Sequence, residues 1–248
     1  MAGHLALILH AHLPFVRHPE QEHFLEEEWL FEAITETYIP LLQMMQRLID
    51  DAVPFKLTMS ITPTLCAMLQ DELLQKRYLE HVDLLIDLVA RERKRNKDNP
   101  LLTELAAFYR NLFARTRRFF FEEWRGNLIG AFRQLRDSGS LEIIASAATH
   151  GLLPLLQQQS RQGARAQVLI GCDAYVDLFG DQPTGFWLPE CAYAPGLDTV
   201  LQEANIRWFV LDAHGLLFGN PQPHRAIYAP SYTRAGPAAF ARDRDSSR

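Results

Sequence analysis

HLALILHAHL, residues 4–13, is apolar at nearly every position until it reaches two histidines, His10 and His12, two residues apart. A strand with one wet face alternates apolar and polar side chains. A run apolar at both parities is buried on both faces, which is the habit of a parallel sheet. Four further runs have this character: FKLTMSIT (55–62), LEIIASAA (141–148), TGFWLPE (184–190) and IRWFVLDA (206–213). Helical stretches separate them. EEEWLFEAITETYIPLLQMMQRLIDD (26–51) carries apolar residues at helical spacing and acids in its first turn, where the helix dipole favours them. Residues 63 to 96 and 102 to 137 read as a long helical excursion between the second and third strands. No Gly/Ser/Pro-rich linker, internal repeat or low-complexity tract interrupts the pattern.

Alternating strands and helices predict a parallel α/β fold. The barrel form is favoured because polar residues fit for chemistry gather where the strands end: His10, His12, Thr62, Thr149, His150, Glu190, Asp212 and His214. A (β/α) barrel builds its site from the carboxyl ends of several strands, whereas an open sheet concentrates it at one switch point. Neither GxGxxG nor GxxxxGK followed by Ser or Thr occurs. Five strands do not close a barrel, so the expectation is an open fold or an incomplete barrel.

Bulk composition excludes several classes. With 48% apolar and 22% charged residues the 248-residue chain is an ordinary globular sequence. A net charge of −5 gives no reason to expect nucleic acid as the main ligand. The basic run RERKRNK (91–97) reads as a solvated loop or helix end. Cys66, Cys172 and Cys191 have neither disulfide nor zinc spacing, which suits a reducing cytoplasm. The N-terminal apolar run has no basic leader and no cleavage site, and no span suits a membrane crossing.

Period-two alternation places His10 and His12 on one face at the strand end. They read as hydrogen-bonded core residues, as metal ligands together with His150 and Asp212, or as donors to the hydroxyls of a sugar. Glu190, set among Trp187, Pro189, Cys191 and Tyr193, reads as a nucleophile or acid/base in an apolar cleft, or as a helix-capping carboxylate. Asp212 reads as the N-cap of a turn at DAHG or as a supporting polar group. Trp29, Trp187, Trp208, Tyr193 and Tyr232 are possible sugar platforms, although Trp208 reads as core and alternation points Trp187 away from Glu190. Cys191 reads as packing.

HAHLPFVRH (10–18), EEWLFEAITETYIPLL (27–42), ATHGLLPLL (148–156) and GFWLPECAY (185–193) together resemble glycoside hydrolase family 57, most closely its 1,4-α-glucan branching enzymes. The tail AFARDRDSSR (239–248) is similar to a further segment of that group. The resemblance implies an incomplete (β/α)7-type barrel, about five of its seven strands present, with a helical insertion between strands 2 and 3. It implies retaining transfer on α-glucans through a covalent intermediate on Glu190. His10, His12, His150, Asp212, Trp29 and Arg242 would bind substrate, and no metal or organic cofactor would be needed. The acid/base aspartate of these enzymes lies further along than this sequence reaches. The expectation is therefore an N-terminal portion, residues 1–248, of a catalytic barrel, inactive alone. The alternatives are an α-amylase or 4-α-glucanotransferase of the same family, a metal-dependent deacetylase or amidohydrolase, and a non-catalytic glucan-binding remnant.

Overall fold

A computed structural model describes residues 3–21 and 24–247. In chain order the elements are β1 (Ile8–Ala11), α1 (Leu25–Ala33), α2 (Ile39–Asp50), β2 (Leu57–Ile61), α3 (Pro63–Gln70), α4 (Glu72–Arg95), α5 (Pro100–Arg118), α6 (Leu128–Asp137), β3 (Leu141–Ser146), α7 (Leu153–Gln159), α8 (Arg161–Phe179), β4 (Gly185–Trp187), α9 (Leu197–Glu203), β5 (Trp208–Leu211), α10 (Ala213–Leu217), β6 (Ser231–Tyr232) and β7 (Ala238–Ala241). They form two compact units. A strand unit takes the chain up to His12, Lys56–Leu65 and everything from Leu141 onward; a helical unit takes Leu13–Phe55 and Cys66–Ser140. The chain passes between the units without a linker, once within α3.

The strand unit is one open sheet in the order β1-β2-β3-β4-β5-β7-β6. Every pairing is parallel except the short antiparallel β6 with β7. All five expected strands are present, and β6 and β7 extend the sheet past β5. Strand β7 arises from the tail segment, whose last residue, Arg248, lies outside the described residues.

Register fixes which side chains share a face. His10 is level with Ser60, Ser60 with Ile144, Ser146 with Trp187, and Trp187 with Val210. Aligned residues on neighbouring strands point the same way, so all of these occupy one face. Ile144, Trp187, Cys191 and Val210 form a buried cluster there, with Ile8 and Trp208 packed against it. Helix α8 covers the other face so closely that a Cβ on Gly171 would lie 2.1 Å from the Ser146 carbonyl oxygen. The Tyr175 hydroxyl donates to the Ile143 carbonyl at 2.9 Å.

The first apolar run is longer than the strand it forms. Leu5 is 90% and Leu7 54% exposed, correcting the expectation of burial throughout. Strand β1 pairs on one side only, and the residues before Ile8 precede its ladder with β2.

In the helical unit, Pro40 has no N–H to give the turn before it. The helix relieves the resulting clash with a π turn, Ile34–Tyr38, between α1 and α2. Asp71 caps α4 by accepting from Leu74 N, and Asn99 caps α5 with Pro100 at its first position. The basic run falls at the carboxyl end of α4, where Arg93, Lys94 and Arg95 face the dipole favourably. Glu27, one of the first-turn acids of α1, is buried. Arg77 Nη1 grips both of its oxygens, at 2.6 and 2.8 Å, and the His18 N–H donates to it at 3.0 Å. Among the described residues no helix is long and apolar enough to cross a membrane.

Candidate active site

The strand-end residues converge. His10 lies in β1 with His12 just past it; His150 follows β3, Glu190 β4, Asp212 β5 and Arg242 β7. Their rings stack: His12 on His150 with centres 3.8 Å apart, and His10 on His150 at 5.0 Å. Trp187 closes the stack 4.3 Å from His10 and within 10° of parallel, and the Arg242 guanidinium lies 5.9 Å from the indole centre.

Alternation placed Trp187 on the face away from Glu190, and the structure corrects this. The β ladder stops at Trp187, and residues Pro189–Cys191 form a single 3-10 turn with Glu190 at φ 54°, ψ 20° and Cys191 at φ 52°. Two successive left-handed residues break the two-residue period, so Trp187, on His10, and Glu190, beside His150, reach the same stack of imidazoles. The turn is held by backbone bonds from Cys191 N to Leu188 O (2.7 Å), Ala192 N to Pro189 O (3.1 Å) and Asp212 N to Cys191 O (2.9 Å). Its apolar neighbours are buried, yet the Glu190 side chain is 77% exposed. The cost of burying an unpaired carboxylate therefore does not arise.

His150 also adopts a left-handed backbone, φ 56°, and its side chain is only 5% exposed. Ser146 Oγ spends its proton on the Trp187 carbonyl at 2.9 Å, so towards His150 Nδ1, 3.4 Å away, it can only accept. That assigns the proton of neutral His150 to Nδ1 and turns the Nε2 lone pair toward Glu190 Oε1, 3.9 Å away. Burial and the neighbouring His12 push His150 down to about 4, so at neutral pH the contact with Glu190 is not an ion pair. Burial, then His150, His12 and Arg242, push His10 down to about 3. Burial also lowers His12, opposed by the Glu190 charge, and its Nδ1 meets Thr62 Oγ1 at 3.1 Å. Three neutral imidazoles can donate to and accept from hydroxyl groups.

Asp212 performs the capping role read from DAHG. Its Oδ1 accepts from His214 N at 3.3 Å and pairs with His214 Nδ1 at 2.7 Å, and that second bond is the chief reason its carboxyl is held below the usual carboxylate pKa range. Cys191 is 1% exposed, and burial raises its thiol to about 11 against the opposing effect of Arg242, whose Nη1 lies 3.9 Å away; it packs, as expected. Trp29 stands on α1 of the helical unit, 48% exposed. Tyr232 is exposed on β6, and Trp208 is half-buried against the inner cluster.

Rings stacked face to face do not converge their nitrogens on one point. Among the described residues no group of three or more His, Cys, Asp or Glu is disposed to hold a metal ion. Sequence reasoning missed Ser146 and Ser60, both fully buried on the inner face. The signal was available: each occupies, in its own strand, the alternation parity that His10 occupies in β1. Ser60 Oγ, His10 Nδ1 and Trp187 Nε1 are buried polar atoms with no protein partner among the described residues.

Glycosyl hydrolase family 57 is matched over residues 6–248. A 1,4-alpha-glucan branching enzyme of Thermococcus kodakarensis is 36% identical over 229 residues, covering 86% of this chain and 33% of that protein. Among solved structures, an alpha-amylase of Thermotoga maritima superposes with a TM-score of 0.93 at 44% identity, covering 100% of this chain and 47% of its own. A family 57 branching enzyme of Pyrococcus horikoshii gives 0.90 at 35% identity, covering 99% and 48%. The chain thus spans a third to a half of the length of these relatives. Its open sheet of parallel strands matches an incomplete (β/α)7 barrel. The chain belongs to glycosyl hydrolase family 57.

Proposed function

We propose that this chain carries the nucleophile half of a retaining α-glucan enzyme, and that the reaction is 1,4-α-glucan branching. The observation that carries the reading is Glu190 on its strained turn, solvent-facing and 3.9 Å from a neutral imidazole, in a chain over a third identical to a branching enzyme. Its oxygen attacks the anomeric carbon, the glycosidic bond breaks, and a glycosyl ester forms that a glucan 6-hydroxyl later displaces. His10, His12 and His150 exchange hydrogen bonds with sugar hydroxyls. Arg242 and the Trp187 indole wall the cleft, and the exposed indole of Trp29 is assigned to substrate as a stacking platform. No step calls for a metal or organic cofactor.

Retention also needs a protonated carboxyl at the leaving oxygen. Asp212 does not fill that role in this reading, because a carboxylate held ionised by His214 is a poor acid; it supports the cleft. The 248-residue chain by itself then binds glucan without turning it over.

The test uses a leaving group that needs no proton. A maltosyl fluoride with a second fluorine on the reacting ring should esterify Glu190, releasing fluoride and adding one glycosyl mass that maps to the peptide around residue 190. Glu190→Gln should remain unlabelled. Labelling of Asp212, or none anywhere while the chain still binds maltooligosaccharide, would refute the assignment. Hydrolysis is a second reading, because the structure superposing at 0.93 is an alpha-amylase. Water rather than a glucan hydroxyl releasing the trapped ester would favour it.

A further inference from the structure

The helical unit contains a cavity of about 450 Å³ between α2 and the end of α5. Three guanidinium groups line it, Arg47 from α2 and Arg115 and Arg118 from α5, against a single carboxylate, Glu123. Arg118 Nε takes that carboxylate at 3.3 Å. Arg47 Nε reaches only the Gln43 carbonyl, one turn back, at 3.3 Å. The Arg115 guanidinium makes no hydrogen bond or ion pair among the described residues.

Carboxylates do match arginine elsewhere on α5. Its Arg117, directed elsewhere, is matched by Asp83 at 2.6 Å. The Arg47 and Arg115 guanidinium groups meet no carboxylate among the described residues, although the chain carries 30 acidic against 25 basic residues. Like charges gathered around one space repel unless an anion joins them. Guanidinium groups are suited to phosphate, which they bind through two parallel hydrogen bonds. The remaining wall is part apolar, Pro40, Leu112 and Phe119, and part amide, Gln43 and Gln46. Pro40 follows one π turn, and Phe119 begins the other, Phe119–Glu123, so both irregular helical turns border this space. Its volume is that of a small-molecule site.

We propose that this cavity binds a small phosphate monoester of the hexose phosphate type. Arg47 and Arg115 hold the dianion, and Leu112 and Phe119 support the carbon ring. The cavity shares no residue with the site around Glu190, so the proposal stands whether or not the glucan reading holds.

Calorimetric titration of the purified chain with glucose 6-phosphate, inorganic phosphate and glucose tests it. Glucose 6-phosphate should bind at least about tenfold more tightly than either of the others, since only it offers both the anion and the ring. Arg47→Ala and Arg115→Ala should each weaken it by about tenfold or more, while Arg91→Ala, at the far basic end of α4, leaves it unchanged. Both cavity arginines are exposed, and circular dichroism verifies that the variants fold. Failure to bind at millimolar glucose 6-phosphate would overturn the proposal. So would equal affinity for inorganic phosphate, or loss of affinity with Arg91→Ala equal to that with Arg115→Ala.

Discussion

The stacked imidazoles should make the strand unit acid-labile in a defined window. His10 titrates at about 3 and His150 at about 4 in the folded chain, against 6.5 when solvated. Between these values the unfolded chain binds protons that the folded chain refuses, so stability rises with pH. It is fully present above pH 6.5 and lost as pH falls toward 4. Acting alone, each group would cost about 3 kcal/mol over that interval, at about 1.4 kcal/mol per unit. Part of each cost is the same mutual repulsion, and the His10 ring is partly solvated, so together they cost about 3 kcal/mol. Urea unfolding at pH 7 and pH 4.5 reads this difference, and the carboxylates common to all variants cancel when mutants are compared. His150→Asn is the informative change, because asparagine tolerates the left-handed backbone that His150 occupies. It should remove about half of the pH dependence. A histidine NMR titration in which His10 or His150 of the native chain gains its proton above pH 6 would refute the reasoning.

Three further outcomes follow from packing and charge. Arg77→Ala strands the buried Glu27 carboxylate and should cost about 3–5 kcal/mol, whereas Arg77→Met with Glu27→Leu should recover most of that by urea titration. Gly171→Ala drives a methyl group into the Ser146 carbonyl, and the backbone of β3 can yield only by moving the residues that carry His150. A loss of about 3 kcal/mol with faster amide exchange in β3 is expected. Trp187→Ala should cost about 3–5 kcal/mol in urea unfolding, and His10, freed of its stacking partner, should titrate higher by NMR.

The sheet was legible because burial on both faces leaves a two-parity apolar run, and all five such runs became strands. Strands β6 and β7 escaped notice for the opposite reason. Ser231–Tyr232 is two residues long, and Ala238–Ala241 is small-residue backbone whose pairing with β5 depends on a partner distant in sequence. Within the site, residues at regular strand ends were placed correctly, while Trp187 was not. A period-two argument carries no information beyond the last ladder hydrogen bond, and the two left-handed residues after Pro189 have no marker in side-chain chemistry. Ser146 and Ser60 were overlooked because a serine inside an apolar run looks like tolerated polarity, not like the group that fixes an imidazole tautomer.

The turn at Pro189–Cys191 explains how a carboxylate is kept both placed and available. A side chain positioned by partners would have those partners on its oxygens; among the described residues Glu190 has none closer than the 3.9 Å approach of His150. Its position comes from the backbone instead, through the three main-chain bonds that pin Leu188 to Ala192 and tie Cys191 to the end of β5. Holding glutamate and cysteine in left-handed conformations costs about 1–2 kcal/mol each, a strain that natural chains retain mainly at functional sites. Glu190→Asn should therefore stabilise the strand unit by about 1 kcal/mol while abolishing glycosyl trapping, since asparagine accepts the conformation but supplies no nucleophile. A cost in stability for Glu190→Asn would mean that the carboxylate makes contacts holding the fold together. That result would remove the case that the turn exists for its oxygen.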